Sequence, residues 1–358
     1  MSNGKGRNGY IDVIKLFFAL VILDFHIETG IFPGGRIVVE GFFMISGYLM
    51  MRTINSNRYP QDSLGVSTAR FLYNKFKALF LYLFPAVIIS FILVSVAMRR
   101  EFSKSFSRIP LLIFDFFPLR EAGFRGDYVI GISWYLSAMF LALAILYPLC
   151  KKYRTTMTMI VCPVTAVLLY GALSFHYGHM AIVTTFMDNS LISSGLLRGI
   201  AGCALGCTLY EICNYLSLKK VTMTGRVFFT SLEIIGFVFL ISTMHNHPKS
   251  SYDFILIFVI FFLLLIGVGG ISLSSLLFRG KIIKCFGTAS TLIVLLHNGL
   301  DVLFKSFIKD GYHRTGWMNL YLICLAAMCV GVWFLGRLLQ KLTGMLSRKM
   351  KASFWINE

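Results

Sequence analysis

Charged side chains are scarce in this chain of 358 residues. Asp, Glu, Lys and Arg together make up 14% of it, whereas hydrophobic residues make up 57%. A soluble globular domain has about 25% charged and about 45–50% apolar residues. Both departures exclude an ordinary soluble protein and indicate a chain whose main solvent is a lipid bilayer.

The sequence also lacks the features that divide or process a chain. No Pro-, Gly- or Ser-rich linker, internal repeat or low-complexity segment is present. The first apolar segment contains Asp24, His26 and Glu28 and has no small-residue cleavage site, so we expect no signal peptide. We expect one membrane domain over the whole chain, with cytoplasmic tails at 1–9 and 340–358.

Signatures of metal and nucleic-acid binding are missing too. The eight cysteines lie within or at the ends of apolar stretches, and none has zinc-ligand spacing with histidines. They are interpreted as small packing residues, and we expect no metal. The net charge of +18 has no basic helix or aromatic RNA-binding signature beside it, so we expect no nucleic-acid partner.

What the sequence does contain is a series of long apolar segments. A membrane-spanning helix needs about 20 mostly apolar residues. The pattern therefore predicts an all-α, polytopic transmembrane helical bundle of about ten spans. Lys and Arg are more frequent in the loops on the side of the N-terminus, which predicts cytoplasmic N- and C-termini. The predicted spans are 10–27, 37–51, 78–97, 129–150, 156–175, 195–215, 227–243, 254–273, 285–304 and 317–339.

The first span has a polar stripe along one face. Lys15 and His26 are separated by nearly three full helical turns, and Asp12 lies one turn below Lys15. Ionisable groups inside a span are costly unless they are paired or line a wet cavity, so the stripe predicts a functional site. Asp12 and Lys15 also fit interfacial positions from which a lysine reaches the headgroups.

Two further polar groups adjoin this stripe. Glu40 is predicted to reach the depth of His26, where a carboxylate would fix the tautomer of the imidazole and raise its basicity. Arg70, Lys75 and Lys77 form a basic cluster before the third span. The cluster fits either ordinary cytoplasmic charges or a site for the phosphates of a nucleotide-like donor.

These residues resemble the motifs of the membrane acyltransferase-3 family. Lys15-x10-His26, followed by Glu-Gly-Phe-Phe-Met-Ile-Ser-Gly-Tyr at 40–48, is similar to the family's Arg/Lys-x10-His and Val-Asp-x-Phe-Phe-x-x-Ser-Gly-Tyr/Phe. The resemblance extends from residue 10 to about 340. Three weaker matches follow: the basic segment before Pro85, Trp134-Tyr135-Leu136, and Leu295-Leu296-His297.

The chain also departs from the family pattern. The extracytoplasmic SGNH-hydrolase-like domain that is fused to some members has no counterpart in it, so we expect a stand-alone type. The sequence does not specify which molecule accepts the acyl group. Four positions differ: Lys15 where Arg is commoner, Glu40 in place of Asp, Met139 where many glycan acetyltransferases have Glu, and Val294 in place of Tyr.

The resemblance implies an acyltransferase of a bacterial plasma membrane that moves an acyl group, usually acetyl from acetyl-CoA, to a hydroxyl of a cell-surface carbohydrate. Our hypothesis is that His26 is the general base, that Glu40 orients it, and that Lys15 stabilises negative charge on the donor or on the thioester oxygen. Whether His26 also carries the acyl group stays open. The other candidates are Lys75, Lys77 and Arg70 for CoA phosphates, and Trp134, Tyr135, His297 and Arg198 for the acceptor.

Several of these residues also have a purely structural interpretation. Trp134 and Tyr135 equally suit an interfacial anchor, and His297 suits a buried packing position. A transporter or flippase of a glycan or lipid-linked sugar would also place charges in the membrane, but it would need no acyl-CoA. A non-catalytic scaffold would leave the cost of the polar stripe unexplained.

Overall fold

Ten long helices make up the framework. The computed structural model describes residues 8–99, 102–117, 119–123, 131–180, 192–278, 280–308 and 315–354. The long helices are α1 (Gly9–Ile27), α2 (Val38–Asn55), α3 (Leu64–Ala97), α4 (Ser133–Lys152), α5 (Arg154–Tyr177), α6 (Ser194–Leu216), α7 (Met223–Asn246), α8 (Tyr252–Val268), α9 (Lys281–Phe307) and α10 (Thr315–Phe354).

Short helical segments join some of these helices. A 3-10 turn, Gly35–Ile37, leads directly into α2, and Ser274–Leu277 precedes α9. The connection between α3 and α4 contains four such segments: Phe102–Phe106, Ile109–Leu112, Ile113–Phe116 and Arg120–Ala122.

Each predicted span coincides with one long helix, which confirms the all-α polytopic fold. Within the described residues, eight helices are long and apolar enough to cross a membrane. The other two are α1, whose charged residues include Lys15, and the 17-residue α8. The predicted tail at 340–358 begins inside α10. Residues 1–7, 129–130 and 355–358 of the predicted tails and fourth span lie outside the described residues.

The ends of α1 are defined by local contacts. At its start, Asn8 accepts a hydrogen bond from the backbone N–H of Tyr10 (3.0 Å), which satisfies one N–H that the first turn leaves unpaired. At its end, Glu28 adopts a left-handed conformation (φ 56°) and stops the helix. His26 therefore lies in the last turn, about 16 Å along the axis from Lys15.

The centre of the bundle is formed by α2 and α6. Each has 72% of its membrane-length window buried, whereas α7 has 22% and α10 has 17%. Around this pair, α1 packs along α9, α9 along α3, and α4 along α6. The outer faces of α7 and α10 expose apolar side chains such as Ile234, Val238 and Phe334, as lipid-facing helices do.

The contact between α2 and α6 depends on two glycines. A Cβ atom at Gly47 would lie 2.0 Å from the carbonyl oxygen of Cys203, and one at Gly206 would lie 2.0 Å from that of Met44. The backbones of the two helices therefore touch directly, which small residues permit in membrane bundles.

Replacing Gly206 by alanine is expected to force α2 and α6 apart. Because the obstructing atoms are backbone, no side chain can move aside, and overpacking of this kind costs about 1–3 kcal/mol. The measurement is the thermal unfolding midpoint of the purified protein in detergent. Gly171→Ala is the matched control, since a Cβ on that helix position meets nothing within 4 Å. An unchanged midpoint for Gly206→Ala would contradict this packing.

Candidate active site

A cavity of about 670 Å³ lies within the bundle. Its walls come mainly from α1, α2, α3, α4, α6 and α9, and no Asp or Glu of the described part of the chain lines it. Its wall contains one histidine, His26, and the basic side chains of Lys15, Arg36, Lys75, Arg198 and Lys249. Of the predicted site residues, Lys15, His26, Lys75, Trp134, Tyr135 and Arg198 line it.

His26 lies where α1 meets α9. Its ring centroid is 4.9 Å from that of His297. His297 is fully buried, and its Nδ1 is 3.1 Å from the carbonyl oxygen of Ile293. That hydrogen bond places the ring proton on Nδ1, so Nε2 of His297 is left as an acceptor, with no hydrogen-bond partner among the described residues. His297 therefore packs beside the predicted base rather than in the cavity wall.

Glu40 does not pair with His26. Its carboxylate accepts hydrogen bonds from Arg198 Nε (2.7 Å) and from the Tyr170 hydroxyl (2.6 Å). Arg198 also lies 4.9 Å from the ring centroid of Trp134. A fully buried carboxylate is stabilised more by a guanidinium ion than by a neutral imidazole. The structure therefore pairs Glu40 with Arg198, and not with the predicted partner His26.

The acidic groups near His26 come from α9 and from the end of α1. Asp301, Glu28 and Lys305 all act electrostatically on His26, and Lys305 Nζ donates a hydrogen bond to the backbone carbonyl of His26 (2.9 Å). Sequence reasoning missed Asp301 and Lys305. The sequence does contain this information, because His297, Asp301 and Lys305 follow one another at four-residue intervals. That spacing places all three on one face of α9.

The predicted basic cluster is divided by the geometry of α3. Lys75 lines the cavity together with Lys15 of α1. Side chains two residues apart leave a helix about 200° apart, and Lys77 is exposed outside the cavity. Arg70 is half-exposed and pairs with Asp62 (2.9 Å). Of the three basic residues predicted to bind phosphates, the structure therefore places only Lys75 in the cavity wall, together with Lys15.

Arg36 lines the cavity at the end nearer to His26. It is buried and pairs with Asp253 (2.8 Å), and it also donates to the carbonyl oxygen of Pro248. Asp253 in turn accepts from the backbone N–H of Met180 (2.9 Å). In the sequence this arginine has the appearance of an ordinary loop charge, since its partner is distant along the chain.

The wall contributed by α4 is aromatic and uncharged. The Tyr135 ring packs 4.7 Å from that of Phe43. Met139, which stands where many family members have Glu, accepts hydrogen bonds through Sδ from the hydroxyls of Ser46 (3.2 Å) and Tyr135 (3.7 Å). A soft, neutral acceptor thus occupies the position of a carboxylate.

A buried carboxylate in the connection between α3 and α4 also acts on Arg198. Glu121 accepts a hydrogen bond from the Ser193 hydroxyl, and its backbone N–H donates to Ser137 Oγ (2.8 Å). Burial raises the pKa of the Glu121 carboxyl above its ordinary value, while Ser193 and Arg198 oppose that rise. These contacts anchor the connection against the starts of α4 and α6.

Three cysteines that are distant in sequence meet where α4, α5 and α6 join. Cys150, Cys162 and Cys207 are buried, and their Sγ atoms lie within 4.8 Å of one another. None of them lines the cavity. Their spacing along the chain could not predict this cluster, because each comes from a different helix.

One of three comparisons with known proteins identifies a family for this chain. The model of the acyltransferase-3 family, described as an acyltransferase domain, matches residues 8–337. Comparisons with curated proteins and with solved structures found no match. The matched region contains every residue that lines the cavity. The chain therefore belongs to the acyltransferase-3 family and is a multi-pass membrane acyltransferase.

Proposed function

We propose that this acyltransferase moves an acetyl group from acetyl-CoA to a hydroxyl of a cell-surface carbohydrate, with His26 as the general base. The observation that supports this most is that His26, Lys15 and Lys75 line one cavity. Lys15 lies about 16 Å along α1 from His26, so one extended donor molecule can contact both residues.

The two lysines suit the donor. Phosphate groups require cations or strong hydrogen-bond donors, and α1 and α3 contribute Lys15 and Lys75 to the wall of the same cavity. Lys15 lies about 16 Å along α1 from His26, which is too far to reach a thioester carbonyl beside that ring. We therefore assign Lys15 to the CoA phosphates on the cytoplasmic side, rather than to the reacting oxygen.

The transfer of the acetyl group itself needs one general base and a site from which water is excluded. His26 takes the proton of the acceptor hydroxyl while the hydroxyl oxygen attacks the thioester carbonyl. The C–S bond then breaks, and the CoA thiolate leaves and receives the proton from the imidazolium of His26. The apolar wall between base and lysines, which includes Ile22, Phe42 and Val294, disfavours hydrolysis of the thioester.

The acceptor is assigned to the end of the cavity that holds Arg36, Trp134 and Lys249. An indole ring gives a sugar a large, rigid apolar face. Arg198 stacks on Trp134 and is held there by Glu40, so the orientation of that face is set by a buried ion pair. A bacterial plasma membrane, with this end facing outward, is the setting we infer.

The proposed function is tested on surface polysaccharide from cells with and without the gene. Loss of O-acetyl groups from otherwise normal polysaccharide is the expected result. The transporter alternative makes the opposite prediction, because it requires the polysaccharide itself to be lost or retained inside the cell with its acetylation unchanged. Transfer of labelled acetyl from acetyl-CoA by the purified protein in proteoliposomes then establishes the donor.

Lys75→Ala is expected to weaken donor binding. A hydrogen bond to a charged group contributes about 1.5–3 kcal/mol, so the KM for acetyl-CoA should rise about 10- to 100-fold, with a smaller change in kcat. Lys77→Ala is the matched control, since this lysine lies two residues further along the same helix and is exposed outside the cavity. Equal effects of the two substitutions would contradict the assignment of Lys75.

A further inference from the structure

One ammonium group connects the end of α1 to α9. Lys305 Nζ lies 2.9 Å from the carbonyl oxygen of His26, 3.1 Å from Glu28 Oε1 and 3.1 Å from Asp301 Oδ2. A lysine ammonium has three N–H donors, and these three acceptors account for all of them. The site is therefore a complete three-point contact rather than a single ion pair.

This contact satisfies the end of a helix. The last four carbonyl groups of an α-helix have no partner within the helix, and His26 provides one of them because α1 ends at Ile27. A cation at this position also complements the negative end of the helix dipole. Lys305 thus caps α1 at the residue whose side chain lines the cavity.

The same face of α9 contacts the His26 ring. His297, Asp301 and Lys305 follow one another at four-residue intervals and so share that face. The His297 ring is 4.9 Å from the His26 ring, centroid to centroid, while Lys305 bonds the His26 backbone. Both the backbone and the ring of His26 are therefore held by a single helix.

The small energies of these ion pairs indicate that they position His26 rather than stabilise the fold. Lys305 is partly and Glu28 largely exposed, with 41% and 75% of their side chains accessible, and ion pairs that reach solvent contribute little. Asp301 is buried, with 7% of its side chain accessible. Its carboxylate therefore holds the ammonium group of Lys305 on the side that faces the protein interior. By contrast, a displacement of about 1 Å in a reacting group can cost about 100-fold in rate.

We propose that Lys305, itself fixed by Asp301, is a positioning residue that holds the last turn of α1 so that His26 stays beside His297 at the cavity wall. This inference rests on the proposed function, in which His26 is the general base. The charged and titratable groups that face His26 from α1 and α9 are Glu28, His297, Asp301 and Lys305.

The test compares three variants in the acetyl-transfer assay. Lys305→Met keeps the length of the side chain but removes the ammonium group, and we expect kcat to fall about 10- to 100-fold while the KM for acetyl-CoA stays within about twofold. Lys305→Arg restores a cation with several donors and should recover most of the lost kcat. Lys219→Met controls for the loss of one charge, because Lys219 is exposed in the connection between α6 and α7.

A second measurement does not depend on activity. The rate at which diethylpyrocarbonate modifies His26, followed by mass spectrometry, should rise in Lys305→Met and in Asp301→Asn and return towards the wild-type rate in Lys305→Arg. A wild-type rate of modification and a wild-type kcat in Lys305→Met would overturn the positioning role and leave the proposed function standing. If the wild type itself transfers no acetyl, the proposed function fails, and the modification rates still decide whether Lys305 positions His26.

Discussion

Replacing His26 by alanine is expected to lower kcat for acetyl transfer by about 10²–10⁴-fold, the contribution that a positioned general base typically makes. The imidazole lies in the last turn of α1 and lines the cavity, while its neighbour His297 is buried outside it. No other histidine of the described residues lines that wall, so no close substitute can take the proton. The measurement is the rate of transfer at saturating acetyl-CoA.

The control for this prediction is His176→Ala, which removes an exposed histidine near the end of α5. Both variants should insert into the membrane and retain the wild-type thermal unfolding midpoint within a few degrees. The KM for acetyl-CoA should change little in His26→Ala, because Lys15, which we propose binds the donor phosphates, lies about 16 Å along α1 from the ring. Parental activity in His26→Ala would show that the assignment of the base is wrong.

The helices and the polar stripe could be predicted because both depend on distances along the chain. A span is recognised by the length of its apolar run, which is why all ten predicted segments correspond to helices. The separation of Lys15 and His26 is close to three full turns, so one helix necessarily presents both on the same side. The structure places both in one cavity wall.

The partners of these residues could not be predicted in the same way, because they depend on how each helix is rotated about its axis. Lys75 and Lys77 belong to one basic run, yet only Lys75 faces the cavity. Likewise, the carboxylate of Glu40 could have been placed beside either His26 or Arg198. The direct contact of α2 with α6 brings Arg198 to Glu40, and no sequence pattern specifies which of the two helices lies closer.

Removing either member of the Glu40–Arg198 pair is expected to destabilise the protein by about 3–5 kcal/mol, because the other, buried charge loses the ion pair that the two residues form. Glu40 is 0% and Arg198 is 3% exposed. Glu40→Ala should therefore cost most of this amount, and so should Arg198→Met. The double variant should be more stable than the sum of the two changes implies. The measurement is the free energy of unfolding in detergent, arranged as a double-mutant cycle.

Tyr170→Phe is the control within this cluster, since it removes only the neutral hydrogen bond to Glu40 (2.6 Å) and should cost about 1 kcal/mol. The cycle also separates two roles for Glu40. If Glu40 acts through Arg198, the loss of kcat in Glu40→Ala should not grow further when Arg198 is replaced as well. If it acted on His26 directly, the two losses would multiply, and the ion pair would then be a neighbour of the site rather than the element that holds Arg198 against Trp134.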